Sequence, residues 1–255
     1  VTALVDGQVT AKFLLGRRRD QMDPDDIAAL ERSVSAIRDL PTRRTLIRAG
    51  EPVVESTLLL EGILCRYMDD RAGHRQLVAI HVPGDFVDLH GFPMGRLDHD
   101  IATIGPVKVA VWKHGALEDI LAPRPKLQRM LWFSTLLDAA MHREWIFRLG
   151  RLGADGRVAH LICELEERLA MVGLSRGGTY GLPLIQADLA EACGLTNVHV
   201  NRVLRALREQ ELMTFRDGRV TILNRPQLRV LGEFEPGYLY GNHPEKVAEA
   251  LAGAA

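Results

Sequence analysis

The sequence predicts an α+β chain. It reads as an N-terminal double-stranded β-helix of the jelly-roll kind, a long helix suited to dimerisation, and a C-terminal winged helix-turn-helix. Three observations predict it. Between about residues 42 and 115, short apolar runs alternate with Gly, Pro and Asp turn signals, the texture of a jelly roll. From Leu127 to Leu149, apolar residues recur every three to four positions, as one continuous helix requires. From Leu184 to Leu223, two short helical patterns flank a Gly-containing turn and lead into an Asp-Gly hairpin. A length of 255 residues suits two domains, and 47% hydrophobic with 25% charged residues excludes a disordered or fibrous chain.

Taken in order, residues 1–40 lead into the barrel. Asp23-Pro24-Asp25-Asp26 starts a helix, with a carboxylate cap, Pro just inside, and Ile27, Leu30, Val34 and Ile37 at helical spacing. The barrel strands are expected at Leu58–Leu60, Ile63–Cys65, Leu77–Val82 and Val107–Trp112. Pro123 and Pro125 hinge into the long helix, whose face of Leu127, Leu131, Ser134, Leu137, Met141 and Trp145 is expected to meet a second copy of the chain. Gly150 and Gly153 break that helix, and Ala154–Met171 forms another, with a loop over Ser175–Thr179. The expected partition is 1–122 for the barrel with its leading helices, 123–152 for the dimerisation helix and 153–232 for the winged helix. A tail at 233–255, ending in a short Ala-rich helix, carries no further reading.

The chemistry concentrates in the third texture. Gln186–Cys193 is a short helix closed by Gly194, and Thr196 can cap a second helix from Asn197 to about Glu209. Val200, Val203, Leu204 and Leu207 fall on one side of it and pack inward. Val198, Arg202 and Arg205 point the other way, flanked by His199 and Asn201. Such a face suits the major groove: Arg donates twice to guanine, Asn pairs with adenine, and an apolar side chain meets the thymine methyl. Asp217-Gly218 then joins two β-rich runs into a wing carrying Arg216 and Arg219. From Asn197 to Arg229 there are seven Arg and three acids, a local charge of +4 in a chain of net charge -1. That local excess supplies the phosphate attraction that the bulk charge conceals.

Other classes find less support. No stretch reaches the roughly 18 apolar residues of a membrane span, and Asp6, Gly7 and Gln8 interrupt the N-terminal apolar stretch, so neither a span nor a secretory signal is expected. Cys65, Cys163 and Cys193 lie far apart, which argues for a reducing, cytoplasmic setting and against a four-cysteine metal or iron–sulfur site. The nine histidines (His74, His81, His90, His99, His114, His142, His160, His199 and His243) show no compact metal-ligand spacing. No metal site or cofactor is expected, and no catalytic constellation is visible. A cupin-like metal-dependent enzyme, or a haem- or metal-sensing regulator, remain the alternatives, with His90 and His99 the first residues to test.

These residues together resemble the Crp–Fnr superfamily of bacterial transcription regulators, from about residue 40 to 225. Leu60-Glu61-Gly62-Ile63-Leu64 and His81-Val82-Pro83-Gly84-Asp85-Phe86-Val87 resemble its barrel turns, and Ala154-Asp155-Gly156-Arg157-Val158-Ala159 the helix opening its DNA domain. Most specific is Gln186-Ala187-Asp188-Leu189-Ala190 through Gly194-Leu195-Thr196-Asn197-Val198-His199-Val200-Asn201-Arg202-Val203-Leu204. The resemblance implies a homodimer on an inverted-repeat duplex, with Arg202 as the guanine-reading arginine and Val198 where many members read a base with Glu. RNA polymerase is a further partner if the protein activates. It also implies an effector pocket, for which Asp88, His90, Arg96 and His99 are the candidates. Cyclic-nucleotide-binding members carry Gly-Glu-Leu and later Arg-Ser, whereas this chain has Val87-Asp88-Leu89 and Asp98-His99. An acid in place of the phosphate-gripping Arg argues against cyclic AMP, and the clustered N-terminal cysteines of the oxygen-sensing branch are missing from this sequence. The effector stays unidentified.

Overall fold

The computed structural model describes residues 8–242. Asp6, Gly7, His243 and the Ala-rich tail lie outside them. Eight helices and eleven strands are described. The helices are α1 (Pro24–Arg32), α2 (Gly91–Met94), α3 (His114–Leu121), α4 (Pro125–Arg151), α5 (Ala154–Met171), α6 (Gln186–Cys193), α7 (Asn197–Glu209) and α8 (Arg225–Leu231). The strands are β1 (Ala36–Leu40), β2 (Thr45–Ile47), β3 (Glu55–Glu61), β4 (Leu64–Asp69), β5 (Arg75–His81), β6 (Asp100–Thr103), β7 (Val107–Lys113), β8 (Ser175–Arg176), β9 (Thr179–Gly181), β10 (Met213–Arg216) and β11 (Arg219–Ile222). No helix among the described residues is long and apolar enough to cross a membrane.

Two antiparallel sheets, ordered β1-β7-β3 and β2-β6-β4-β5, form the N-terminal unit. Alternation along β7 shows how the sequence builds it. Val107, Val109 and Val111 enter the core between the sheets with Leu59, Leu64 and Ile101. Ala110 and Trp112 face the other way, onto Phe13, Leu30, Leu117 and Leu127. A third cluster runs without interruption from Tyr67, Leu77 and Ile80 through α4 and α5 into Leu189, Val200 and Val220. The barrel and the C-terminal unit therefore share apolar contacts.

Several expectations are corrected. Asp23 precedes α1 but makes no capping bond; its carboxylate accepts from Lys126 Nζ at 3.0 Å instead. Gly150 does not break α4, which runs 27 residues to Arg151, and it is Gly153 that starts α5. The expected loop over Ser175–Thr179 is the tight hairpin of β8 and β9, the edge of a sheet ordered β10-β11-β9-β8. The face expected to meet a second copy is not free. Leu127, Leu131, Leu137, Met141 and Trp145 are buried within the chain itself, against the barrel and α5, and Ser134 is half-buried. The large apolar residues that α4 leaves exposed are Trp132, Leu136, Ile146 and Phe147.

Beyond α8 the chain folds back. Pro236–Leu239 forms a 3-10 turn, the Leu239 carbonyl accepts from buried Arg17 Nε at 3.0 Å, and Asn242 N donates to the Gly16 carbonyl at 2.7 Å. The two ends of the described chain are thereby tied together over α4.

Candidate nucleic-acid interface

α6 and α7 form the helix pair that the sequence predicts, with the same limits. Gly194 closes α6 at φ 61°, a left-handed conformation that glycine adopts without a Cβ clash. Thr196 caps α7, its hydroxyl accepting from the His199 backbone N–H at 3.3 Å. Val200, Val203 and Leu207 anchor α7 in the core, while Leu204 is only half-buried. At the wing, Arg216 pairs with Arg219 across a turn in which Asp217 has φ 51° and Gly218 φ 67°. Positive φ at both central residues is the type I′ signature that the Asp-Gly pair announces.

The exposed side of α7 is a reading face. Val198 is 71% exposed, and Asn197, His199, Asn201, Arg202 and Arg205 are exposed as well. Gln186 Nε2 donates to Asn201 Oδ1 at 2.9 Å, fixing which Asn201 groups remain for a base edge. Arg205 Nε donates to Glu209 at 2.7 Å, one turn along the helix in full solvent. A groove of about 490 Å³ gathers Gln186, Val198, Asn201, Arg202, Arg205 and Arg216. Thr196 and Asn197 instead border a second recess beside the tip of the β4–β5 hairpin. Arg219 lies on the wing, opposite Gly181. Arg208, Leu204 and Phe215 also line the groove, though the sequence reading did not place them at the site. For Arg208 the signal was present, at three residues after Arg205 on the same helical face.

Among the proposed effector residues, the direct contact is that of His90 with His99. His90 and His99 stack loosely, ring centroids 5.3 Å apart, and His99 Nδ1 lies 2.8 Å from the Asp98 carboxylate. Burial lowers both imidazoles, His90 to about 3, so the pair is neutral near pH 7. Asp88, two residues before His90, is fully buried, accepting from the Thr57 backbone N–H at 2.6 Å, and burial pushes its carboxyl up to about 7. Arg96 is exposed beside Pro52. Neither residue makes a hydrogen bond or ion pair with the two histidines.

The group that occupies this region is Arg66, which no sequence signal singles out. It shares the inward face of β4 with Leu64, is 2% exposed, donates through Nε and Nη2 to the Val87 carbonyl, and pairs with Asp138 on α4. The Arg66 charge, after burial opposes it, holds Asp138 down at about 2. A second buried network joins α5 to the barrel: Arg168 pairs with Asp85 at 2.6 Å and with Glu164 at 3.0 Å, and Glu164 also accepts from Tyr238 at 2.9 Å. All three cysteines are free and buried, and burial raises each thiol. Among the described residues no three His, Cys, Asp or Glu side chains come together in a way that could hold a metal ion.

A β-barrel joined by a long helix to a capped helix-turn-helix with a basic reading face and a wing defines the class, that of DNA-binding transcription regulators. Residues 156–231 match the Crp-like helix-turn-helix domain. The chain is 28% identical over 208 residues to the transcriptional activator protein FnrL of Cereibacter sphaeroides, covering 79% of this chain and 81% of that one. It is 29% identical over 174 residues to the nitrogen fixation regulation protein FixK of Bradyrhizobium diazoefficiens, covering 68% and 72%. Among solved structures, FixK2 from Bradyrhizobium japonicum superposes with a TM-score of 0.71 at 25% identity, covering 77% of this chain and 96% of that one. The chain is thus similar to Crp–Fnr regulators over most of its length, with a Crp-like helix-turn-helix domain at 156–231.

Proposed function

We propose that the protein is a homodimeric, sequence-specific DNA-binding regulator that reads an inverted repeat through α7. The carrying observation is that two exposed surfaces lie on one chain. One is the reading face of Val198, Asn201, Arg202 and Arg205. The other is an exposed seam on α4 of Trp132, Leu136, Ala139, Arg143 and Ile146, spaced four, three, four and three residues apart. That alternation is the heptad spacing of two helices packed against each other. In a twofold dimer the reading helices would enter successive major grooves about 34 Å apart. On this reading the chain divides into a barrel unit to about residue 122, the dimer helix, and a DNA-binding unit from about 153 to 232.

The barrel is read as a non-cyclic-nucleotide unit without an Fnr-type cluster. In support, the buried cation of this region, Arg66, is already taken by Asp138 and the Val87 carbonyl, and the three cysteines sit singly on β4, α5 and α6. Non-enzymatic action fits a chain whose clustered charge lies on α7 and the wing. Selection of bound duplexes from a random pool, with light scattering on the same sample, tests the reading. The expected result is a dimer enriching an inverted repeat. A monomer with no sequence preference in moderate salt would refute it.

A further inference from the structure

α6, which carries only Gln186 into the reading groove, is held at both ends by side chains from other elements. Its last turn presents three carbonyls that find no partner within the helix, as every helix end does. Each is taken by a side chain from a different element. The Glu191 carbonyl accepts from Gln76 on β5, the Ala192 carbonyl from Arg148 Nη2 on α4 at 2.9 Å, and the Cys193 carbonyl from Arg157 Nη1 on α5 at 3.3 Å. At the other end, Asp188 accepts from the Ile185 backbone N–H at 2.7 Å. The same carboxylate takes both terminal nitrogens of Arg43, at 2.6 and 2.8 Å. The Asp188 side chain is 4% exposed, so this is a two-pronged pair on a buried acid.

Arg43 belongs to the barrel, and its own backbone is constrained. It has φ 60°, a left-handed conformation that non-glycine residues seldom adopt. Thr103 on β6 stabilises the loop, its hydroxyl donating to the Pro41 carbonyl and accepting from Arg44 N. Strain of this kind persists only where its surroundings enforce it. Here they aim one guanidinium at the first turn of α6.

Arg43 and Gln76 thus grip α6 from the barrel side, and α6 packs directly on α7. The reading face of α7 is untouched by this grip: Val198, Asn201, Arg202 and Arg205 are all exposed. The grip therefore orients the reading helix without covering it.

We propose that Arg43 and Gln76 are positioning residues for DNA recognition. They fix each reading helix relative to the barrel, and so set the half-site spacing that the dimer accepts. This rests on the dimeric DNA-binding reading above. Without the grip, each reading unit keeps the Arg148 tie to α4 and the Arg168–Asp85 tie to the barrel, but gains freedom to adjust about the α4–α5 junction at Leu152-Gly153. A single half-site does not sense that freedom, whereas two half-sites at fixed spacing do.

The test uses the full chain with Arg43→Ala, Arg43→Lys and, as a milder second variant, Gln76→Ala. Fluorescence anisotropy is measured on the selected inverted repeat, on the same duplex with one base pair inserted at its centre, and on a duplex with one half-site. One inserted pair displaces the half-sites by about 3.4 Å and rotates them by roughly a tenth of a turn. The wild type is expected to lose about tenfold or more on the insertion. Arg43→Ala should bind the repeat about fivefold more weakly but lose less than about threefold on the insertion, a coupling in the usual range. Single-half-site affinity should stay within about twofold, and Arg43→Lys and Gln76→Ala should fall between. Unchanged spacing discrimination, or an equal loss on all three duplexes, overturns the proposal. If the wild type binds no duplex, the function reading fails instead. Hydrogen exchange then tests the grip alone, and unchanged exchange across α6 in Arg43→Ala overturns it.

Discussion

The α4 seam makes a quantitative prediction about assembly. Ile146 is 73% exposed in the single chain, whereas Met141, one and a half turns earlier, is 8% exposed. Fully burying an Ile side chain contributes roughly 1.5–3 kcal/mol. A twofold interface buries one from each copy, so at 73% exposure the pair is worth about 2–4 kcal/mol. Ile146→Asp removes that and adds the desolvation of two carboxylates, so dimer dissociation should strengthen by at least about 30- to 1,000-fold. Met141→Ala opens a cavity inside the chain instead and should lower folding stability by about 2–5 kcal/mol, with dimer affinity little changed. Sedimentation equilibrium across a dilution series, with melting curves on the same samples, separates the two effects. A dissociated Met141→Ala with normal stability, beside a fully dimeric Ile146→Asp, would falsify the assignment of the seam.

Three further predictions concern the reading helix and the buried charges. Arg202→Ala should weaken binding to the selected duplex by about 1–3 kcal/mol and relax preference at one base pair per half-site. A repeated selection yielding the same consensus at the same affinity contradicts that role. Asp138 sits at about 2 when folded, below its unfolded value near 3.9. Its contribution is present above pH ~4 and lost as pH falls through the folded value. Asp138→Asn should therefore lower stability by about 2 kcal/mol at pH 7 and flatten the fall in stability between pH ~5 and 2, read by urea titration at each pH. Asp88 carries the opposite sign, since burial raises it to about 7 and stability falls as pH rises from ~4 through 7. Asp88→Asn keeps the acceptor for Thr57 N without the charge, and should stabilise the protein by about 4 kcal/mol at pH 8 but not at pH 4. Equal effects at the two pH values would exclude a buried carboxylate as the cause.

The parts that were legible in the sequence are those whose physics is local. α6, its Gly194 stop, the Thr196 cap and the Asp217-Gly218 turn each depend on residues within a few positions of one another. Their limits match the reading closely. The α4 face failed for a different reason. The helix carries two apolar stripes, one through Leu127, Leu131, Leu137, Met141 and Trp145 and one through Trp132, Leu136 and Ile146. Periodicity reports that a stripe exists and is silent about which neighbour covers it. β1 escaped notice because its middle residues, Ile37, Arg38 and Asp39, are all exposed, so no alternation marks it. Arg66 escaped because a lone Arg on a strand normally points to solvent. Only the bend of the chain that brings Asp138 and the Val87 carbonyl together makes its burial tolerable.

That last point bears on how the barrel and the reading helix are coupled. Apolar contact alone would let α4 and α5 slide on the barrel with little change in free energy, because burial by area has no direction. Buried ion pairs behave differently. Arg66 with Asp138 and Arg168 with Asp85 and Glu164 each need their partner within hydrogen-bond reach, and separating a buried pair costs roughly 3–5 kcal/mol; Arg43, with its side chain 44% exposed, holds buried Asp188 less strongly. Three such pairs span three different contacts: barrel to α4, barrel to α5, and barrel to α6. A small rotation of the DNA-binding unit would have to break at least one of them outright. On the proposed DNA-binding reading, such pairs would favour discrete positions over a continuum, and so would let the barrel bear on where α7 points.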